Sequence, residues 1–317
     1  LLESRGLGDV YKRQRIKKYR VLVLEQHYTA GGFTHSFTRK GGFKWDVGLH
    51  YVGCMQKGNP FRKTFDFVTG RSVVWRKMQD PFERFCFPGF SFPVRAGARK
   101  YRADLCNEFP QEAQGIKRYF RDLSWVSKII LLPYLPSSIE KIIRKALPQI
   151  ARLERMTLKE GLDSYFQDER LKALLASQWG DYGLPPSQMS FVYHMVVAEH
   201  YKEGGFYPEG GGATIAAGAA HVLSKTSGCI MTSHKVEEIL VENGRAVGVR
   251  VRGKGGVFEV RANEVYSNAG AELTYTKLLP KTLCHDRRED LEQSKPGVSC
   301  ITLYLGLAES PEKLGLK

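Results

Sequence analysis

The chain has 317 residues, enough for one large or two ordinary domains, and its 42% hydrophobic and 26% charged content excludes a disordered polymer. Its 48 lysines and arginines against 33 acidic residues give a net charge of +15, which favours anionic partners: a phosphorylated cofactor, nucleic acid or anionic lipid. The 32 glycines, many in doublets, exceed the usual ~7% and point to turns and close backbone approach.

The opening LLESRGLGDVYKRQ has Gly6 and Gly8, but no apolar strand precedes them and Tyr11 stands where a GxGxxG loop needs its third glycine. A basic helix end is expected near residue 15. The apolar run Tyr19–Leu24 then reads as a buried parallel strand ending on Glu25. An acid at the end of the second strand of a dinucleotide-binding unit accepts hydrogen bonds from the adenosine ribose hydroxyls. Six residues on, Gly31–Gly32 would let the main chain approach a diphosphate and a flat ring, and WDVGLHYVG follows a second doublet, Gly41–Gly42.

Residues 54–205 read as mostly helical, with strand-like pieces at SVVW and FSFPVRAG. Ile116, Tyr119, Phe120 and Leu123 have helical spacing, with Pro110 near the start. MTLKEGLDSYFQDERLKALLASQWGDYGLPP gives two short helices stopped by Gly180, Gly183 and Pro185–Pro186. Residues 125–150 mix apolar residues with Lys128, Lys141, Arg144 and Lys145; such a segment fits a membrane interface, or a core helix with a solvated basic side.

From residue 206 the texture changes. GGFYPEGGGATIAAGAAHVLSKTSG is a glycine-flanked turn feeding a small-residue helix. Asn243–Gly244 marks a hairpin between alternating strands, and Gly255–Gly256 turns into another strand. Together these make a β-meander, after which EVYSNAG reads as a short apolar strand leaving room for phosphate at its end.

Six scattered cysteines without a CxxC pair suggest reduced core thiols, not a disulfide framework or a zinc site. His194 and His200 are six apart, off the i,i+4 spacing of two ligands on one helical face, so no metal is expected. The most apolar run, IILLPYLP, is too short for a bilayer span. Basic residues are spread along the chain with no recognition motif, which argues against nucleic acid as the partner.

VLVLEQHYTAGGFTHSF and FKWDVGLHYVG together resemble the FAD-binding region of the phytoene desaturase, carotenoid isomerase and retinol saturase family. QWGDYGLPPSQMSF, HYKEGGFYPEGG and LYLGLAESPEKLGL resemble its retinol saturase-like branch more narrowly. The resemblance runs from about residue 15 to 317. It implies an α/β fold: a Rossmann-like FAD-binding domain with a β-meander, and an inserted, mostly helical lid. The implied parts are 15–53 and 206–275 for FAD, 54–205 for the lid, and 276–317 for the start of a further substrate-domain segment.

By the same resemblance Glu25 and Gln26 would hold the ribose, and Gly31, Gly32 and Ser36 would lie along the cofactor. Gly48 and His50 would lie near the flavin, Val236 would meet adenine through its backbone, and Ala269 and Gly270 would close over the diphosphate. Tyr51 and Tyr207 would face substrate, and His50 is the one catalytic candidate. FAD is the implied cofactor and NAD(P)H a candidate electron donor. The implied substrate is a hydrophobic polyene or isoprenoid, to be reduced, desaturated or isomerised, by an enzyme that is cytoplasmic or peripherally membrane-associated. An amine-oxidase-like flavoenzyme and a non-catalytic lipid-binding relative are the alternatives.

Residues 1–14 resemble a translated adapter-derived tail. The homologous chain is therefore expected to begin near Arg15, with the family's first strand, glycine loop and final cofactor segment outside the sequence. Such a chain is expected to hold FAD poorly and to be inactive by itself.

Overall fold

The computed structural model describes residues 20–226, 228–294, 298–310 and 312–315. The tail at 1–14, Gly6, Gly8 and the helix end near residue 15 lie outside the described residues.

Strand β1 (Leu22–Leu24) is followed by the glycine loop and a hairpin of β2 (Ser36–Thr38) and β3 (Lys44–Asp46). Helix α1 (Pro60–Val68) starts where Asn59 accepts from Phe61 N at 2.8 Å and Pro60 supplies a preset φ at the first helical position. Strand β4 (Trp75–Lys77) and the hairpin β5 (Glu83–Phe87) and β6 (Phe90–Val94) come next. The expected SVVW strand is thus shifted by three residues, and β5 had no reading in the sequence.

The helical section contains α2 (Ala98–Glu108), α3 (Ala113–Val126), α4 (Ser137–Ala146), α5 (Gln149–Arg155), α6 (Leu158–Asp163), α7 (Glu169–Leu175) and α8 (Phe191–Tyr201). Thr157 and Glu160 form a reciprocal capping box that starts α6, and Asp168 caps α7 by accepting from two backbone N–H groups. On α3 the residues Ile116, Tyr119, Leu123 and Val126 are all buried, one stripe of a 3.6-residue period. They join Leu105, Leu158, Leu171, Phe191 and Met195 in one core that also takes Phe92 and Val94 of β6. Each of these large side chains contributes about 1.5–3 kcal/mol relative to an exposed position.

After α8 come β7 (Phe206–Pro208), α9 (Ala213–Ser224), β8 (Cys229–Met231), then the meander β9 (Lys235–Glu242), β10 (Arg245–Gly253) and β11 (Gly256–Arg261). β1 pairs in parallel with β8, Leu22 opposite Cys229 and Leu24 opposite Met231. The meander has β10 in the middle, with Asn243 and Gly244 both at positive φ (51° and 74°) as the tight hairpin requires. β4 pairs with β7, and a bridge from Val52 to Phe206 extends that contact. The chain ends its regular structure in α10 (Ala271–Leu273), which runs into a π-helical turn at Thr274–Leu278, and α11 (His285–Glu292).

Two expectations are corrected. EVYSNAG forms no strand: Glu264 to Gly270 has no ladder partner among the described residues, and most of it is exposed. The cysteines are not core thiols either. All six are free; Cys86, Cys229, Cys284 and Cys300 are exposed, Cys86 because it falls on the outward half of the β5 alternation.

Candidate functional site

Past the end of β1 the ladder continues for one more step. Glu25 N donates to Met231 O at 2.9 Å, and His234 N donates to Glu25 O at 2.9 Å. This brings the start of β9, and so Val236, alongside the tip that carries Glu25. The half-buried Glu25 carboxylate accepts from His27 N through Oε1 at 2.7 Å, and among the described residues Oε2 takes no partner. Gln26 beside it is exposed. Leu24 and Val236 share a cluster with Ile239, Val251, Leu273 and Leu278. The segment opened by Ala269 and Gly270 is thereby anchored on the same strands, although both residues are exposed.

The glycine loop packs the other way. Gly31 has φ of 124°, and a Cβ there would lie 2.8 Å from the Ala216 Cβ on α9. Gly32 has open space around it, with nothing within 4 Å of its own Cβ direction. The loop is tied to the WDVG segment by Val47 N to His35 O at 3.0 Å and Gly48 N to Phe33 O at 3.1 Å. Ser36 pairs with Asp46 across the hairpin.

Asp46 was not singled out by sequence, yet it organises this side. Its Oδ2 accepts from Gly212 N at 2.8 Å and from the Tyr207 hydroxyl, which also reaches Leu49 O at 3.3 Å. Burial, then the Asp46 carboxylate, raise the Tyr207 phenol above its usual range. A lone acid between Trp45 and Val47, in a run otherwise apolar to Tyr51, was the available signal.

His50 and Tyr51 sit at the seam with the helical section. The exposed His50 faces Tyr51 O through Nδ1 at 2.8 Å, and the Tyr201 hydroxyl at 3.5 Å. Tyr51 makes edge-on ring contacts with Phe82 (5.9 Å) and Tyr201 (5.1 Å). A Cβ at Gly205 would come within 2.9 Å of the Tyr51 ring, so the Gly204–Gly205 doublet is what lets that ring in. Behind them, His200 Nε2 accepts from Gly53 N at 2.8 Å, and burial lowers its pKa to about 4. His194 is fully buried, with its Nδ1 against the Tyr182 hydroxyl at 2.9 Å and its pKa lowered to about 4 by burial. Among the described residues no His, Cys, Asp and Glu group has the makings of a metal site.

The structure thus gathers Glu25 and Val236 at one strand tip, and ties Ser36, Gly48 and Tyr207 through the β2–β3 hairpin and Asp46. His50 and Tyr51 lie at the seam. Glu83 and Asp181, which act electrostatically on Tyr51, were missed because nothing in the sequence predicts that β5 meets this seam.

The arrangement is a mixed α/β fold, and solved oxidoreductases share it. An oxidoreductase from Methanosarcina mazei superposes with a TM-score of 0.59 at 21% identity, covering 92% of this chain and 64% of that one, which shows the fold. No family model matches the chain. Curated proteins do: the all-trans-retinol 13,14-reductase of Rattus norvegicus is 32% identical over 98% of this chain and 54% of its own length. The neurosporene-forming phytoene desaturase of Cereibacter sphaeroides is 30% identical over 91% of this chain and 55% of its own. The chain is homologous to retinol saturases and phytoene desaturases, proteins that depend on FAD, at about 30% identity along nearly its whole length. It spans about half the length of the curated relatives it matches.

The residues present fit such a cofactor. A carboxylate oxygen at a strand tip has no partner among the described residues, and Gly32 and Gly270 leave open space where side chains would otherwise stand.

Proposed function

We propose that the protein is an FAD-dependent oxidoreductase acting across a carbon–carbon bond of a polyene or isoprenoid, with retinol saturase-like reduction as the favoured direction. The observation that carries this is the 32% identity to a retinol 13,14-reductase along nearly the whole chain, with Glu25 at the tip of a parallel strand. We assign 15–53 and 206–275 to a Rossmann-like cofactor domain, 54–205 to a lid, and 276–317 to the next substrate-domain segment.

FAD, when bound, supplies the two-electron chemistry, and NAD(P)H is the proposed electron donor. The protein's share is binding and exclusion of water. Glu25 and Gln26 hold the ribose, and the Val236 backbone meets adenine. Gly31, Gly32, Ser36, Ala269 and Gly270 give the diphosphate room, while Gly48 and His50 border the flavin. Tyr51 and Tyr207 face the substrate. Mass analysis of the product from all-trans-retinol or phytoene tests the assignment: a gain of two hydrogens supports reduction, a loss of two desaturation. An unchanged mass with a shifted isomer would mean isomerisation, and no product from either polyene by a preparation shown to carry FAD would sink the assignment.

The greasy substrate class makes a bilayer the natural source, and one flank suits it. Leu131, Tyr134, Leu135, Ile139 and Ile142 are exposed by 39–67%, beside exposed Lys128, Lys141 and Lys145. Arg144 is committed elsewhere, bonded to Glu140 at 2.8 Å and to Glu154 at 2.7 and 3.1 Å. Among the described residues no helix is long and apolar enough to cross a membrane, so the proposed contact is peripheral. Flotation with phosphatidylserine vesicles, with Lys128, Lys141 and Lys145 changed to Glu, tests it; flotation unaffected by the reversal rules the contact out.

A further inference from the structure

Strand β5 turns Glu83, Phe85 and Phe87 inward while Arg84 and Cys86 face out. Glu83 therefore carries a carboxyl in among rings. Its Oε2 is buried and has no hydrogen-bond partner among the described residues, and none of their ion pairs reaches it. The carboxyl lies against the Tyr51 hydroxyl and the Gln178 side chain. A structural carboxylate in such a place ordinarily has a lysine or arginine beside it. Here the surroundings are Tyr51, Tyr101 and Tyr201, with the exposed His50 and Asp181 on the outer side.

The titratable groups form a graded array. Burial, then the Glu83 contact, raise the Tyr51 phenol far above its usual range, and burial raises Glu83 itself, so Glu83 keeps its proton where an ordinary glutamate has lost it. Asp181, although exposed as a residue, is raised too by partial desolvation of its carboxyl, and His50 opposes that shift. Tyr201 links the array to the main chain, its hydroxyl 3.4 Å from Tyr51 O and 3.5 Å from His50 Nδ1. Gln178 and Tyr201 also line a narrow cleft with Phe82, Phe85, Tyr101 and Leu174, and Phe82 and Phe85 flank Glu83 and Arg84 in the chain.

We propose that Glu83, acting through the Tyr51 hydroxyl, is the proton source for reduction of the substrate double bond. The inference rests on the polyene-oxidoreductase reading and deepens it by naming the group that supplies the second hydrogen. With reduced flavin bound, the substrate π bond would break as one of its carbons took a hydride, the flavin giving up two electrons. The neighbouring carbon takes the Tyr51 proton, and Glu83 replaces it. The Glu83 carboxylate left behind recovers its proton from water by way of Asp181 and His50. Burial that raises the Glu83 pKa favours the protonated form, the form that gives a proton, and so favours reduction over desaturation.

Two measurements test this. In the protein without flavin, infrared spectroscopy at pH 7 is expected to show a carboxylic-acid C=O band that disappears in Glu83→Gln. With flavin, reductant and all-trans-retinol, Glu83→Gln is expected to lower reduction by about 10²–10⁴-fold, while polyene quenching of tryptophan fluorescence stays as in the wild type. Tyr51→Phe should behave alike, Glu83→Asp should restore part of the rate, and wild-type activity should fall as pH rises through the Glu83 titration. A Glu83→Gln rate within about threefold of wild type, with the same pH profile, overturns the proposal and leaves the polyene reading standing. A flavin-loaded wild type that gives no product from any polyene, by mass or by isomer, overturns both. Should Glu83→Gln not fold, Tyr51→Phe at full rate overturns the proposal.

Discussion

Replacing Gly53 with Ala is expected to loosen the seam on which His50 and Tyr51 stand. The glycine has no unusual φ; its constraint is proximity. A Cβ there would lie 2.0 Å from the His200 carbonyl oxygen and 2.6 Å from the His200 carbonyl carbon, backbone atoms that no rotamer change can move aside. Helix α8 or the Val52–Cys54 segment must therefore shift, and with it the Gly53 N to His200 Nε2 bond of 2.8 Å. Overpacking costs about 1–3 kcal/mol. Leaving a buried donor and acceptor unpaired costs about 1–3 kcal/mol more. One displacement relieves part of each, so the net loss is about 2–4 kcal/mol. At roughly 2–4 °C per kcal/mol for a chain of this class, Tm should fall by about 4–16 °C. Thermal and urea unfolding read this directly, with a lower midpoint at unchanged m. An alanine variant melting within about 2 °C of the parent would show that the contact is not rigid, and the argument for a fixed seam would fail.

His194 and His200 are held neutral in the fold and are protonated on unfolding at mildly acid pH. Their folded pKa of about 4 lies below the ordinary 6.5, so stability is full above about 6.5 and is lost as pH falls towards 4, by up to roughly 3 kcal/mol for the fully buried His194. Urea midpoints across that range should show the loss, and His194→Gln should flatten it; a midpoint independent of pH would contradict the burial. Glu112, 8% exposed, accepts from Gln167 N and Asp168 N at 2.7 Å each, so Glu112→Ala should destabilise by about 2–4 kcal/mol; an unfolding free energy unchanged within error would refute that. Glu25→Ala should weaken flavin binding by about 10- to 150-fold, the equivalent of one charge-assisted hydrogen bond, as read by flavin fluorescence titration; an unaltered affinity would remove the ribose from Glu25.

Much of the local structure was legible because it follows from local chemistry. Asn243–Gly244 demands positive φ at two successive residues, and the alternation on either side fixes the meander. The stripe at Ile116, Tyr119 and Leu123 could only be a helix face; the VLVL run does form a parallel strand, but it is not the buried one expected, since Leu22 is exposed and Val23 and Leu24 are half-buried. What stayed hidden depends on contacts far apart in sequence. Asp46 meets Tyr207 161 residues away, and Gly53 meets His200 across 147. Strand β5 reads as ERFCF, and with Phe82 just before it and Phe85 after Arg84 nothing hints that Glu83 turns inward. EVYSNAG failed for the opposite reason. Its composition suits a strand, but a strand exists only through its neighbour, and the described residues offer none.

The glycines carry the same lesson into the site. By composition or by family resemblance Gly31, Gly32, Gly48 and Gly270 all read as room for a cofactor, but they are not equivalent in three dimensions. At Gly31 the missing side chain admits Ala216 of α9, and at Gly48 it admits the Phe33 ring. At Gly32 and Gly270 nothing of the protein occupies that space. The first pair therefore holds the loop, the hairpin and α9 in register, while the second pair is where a ligand could approach. Alanine at Gly31 would act through the fold before it acted on any ligand. Gly205, closed over by Tyr51, extends the division to the seam: positions that look like cofactor glycines there are packing glycines, and what they position is the tyrosine beside the buried acid.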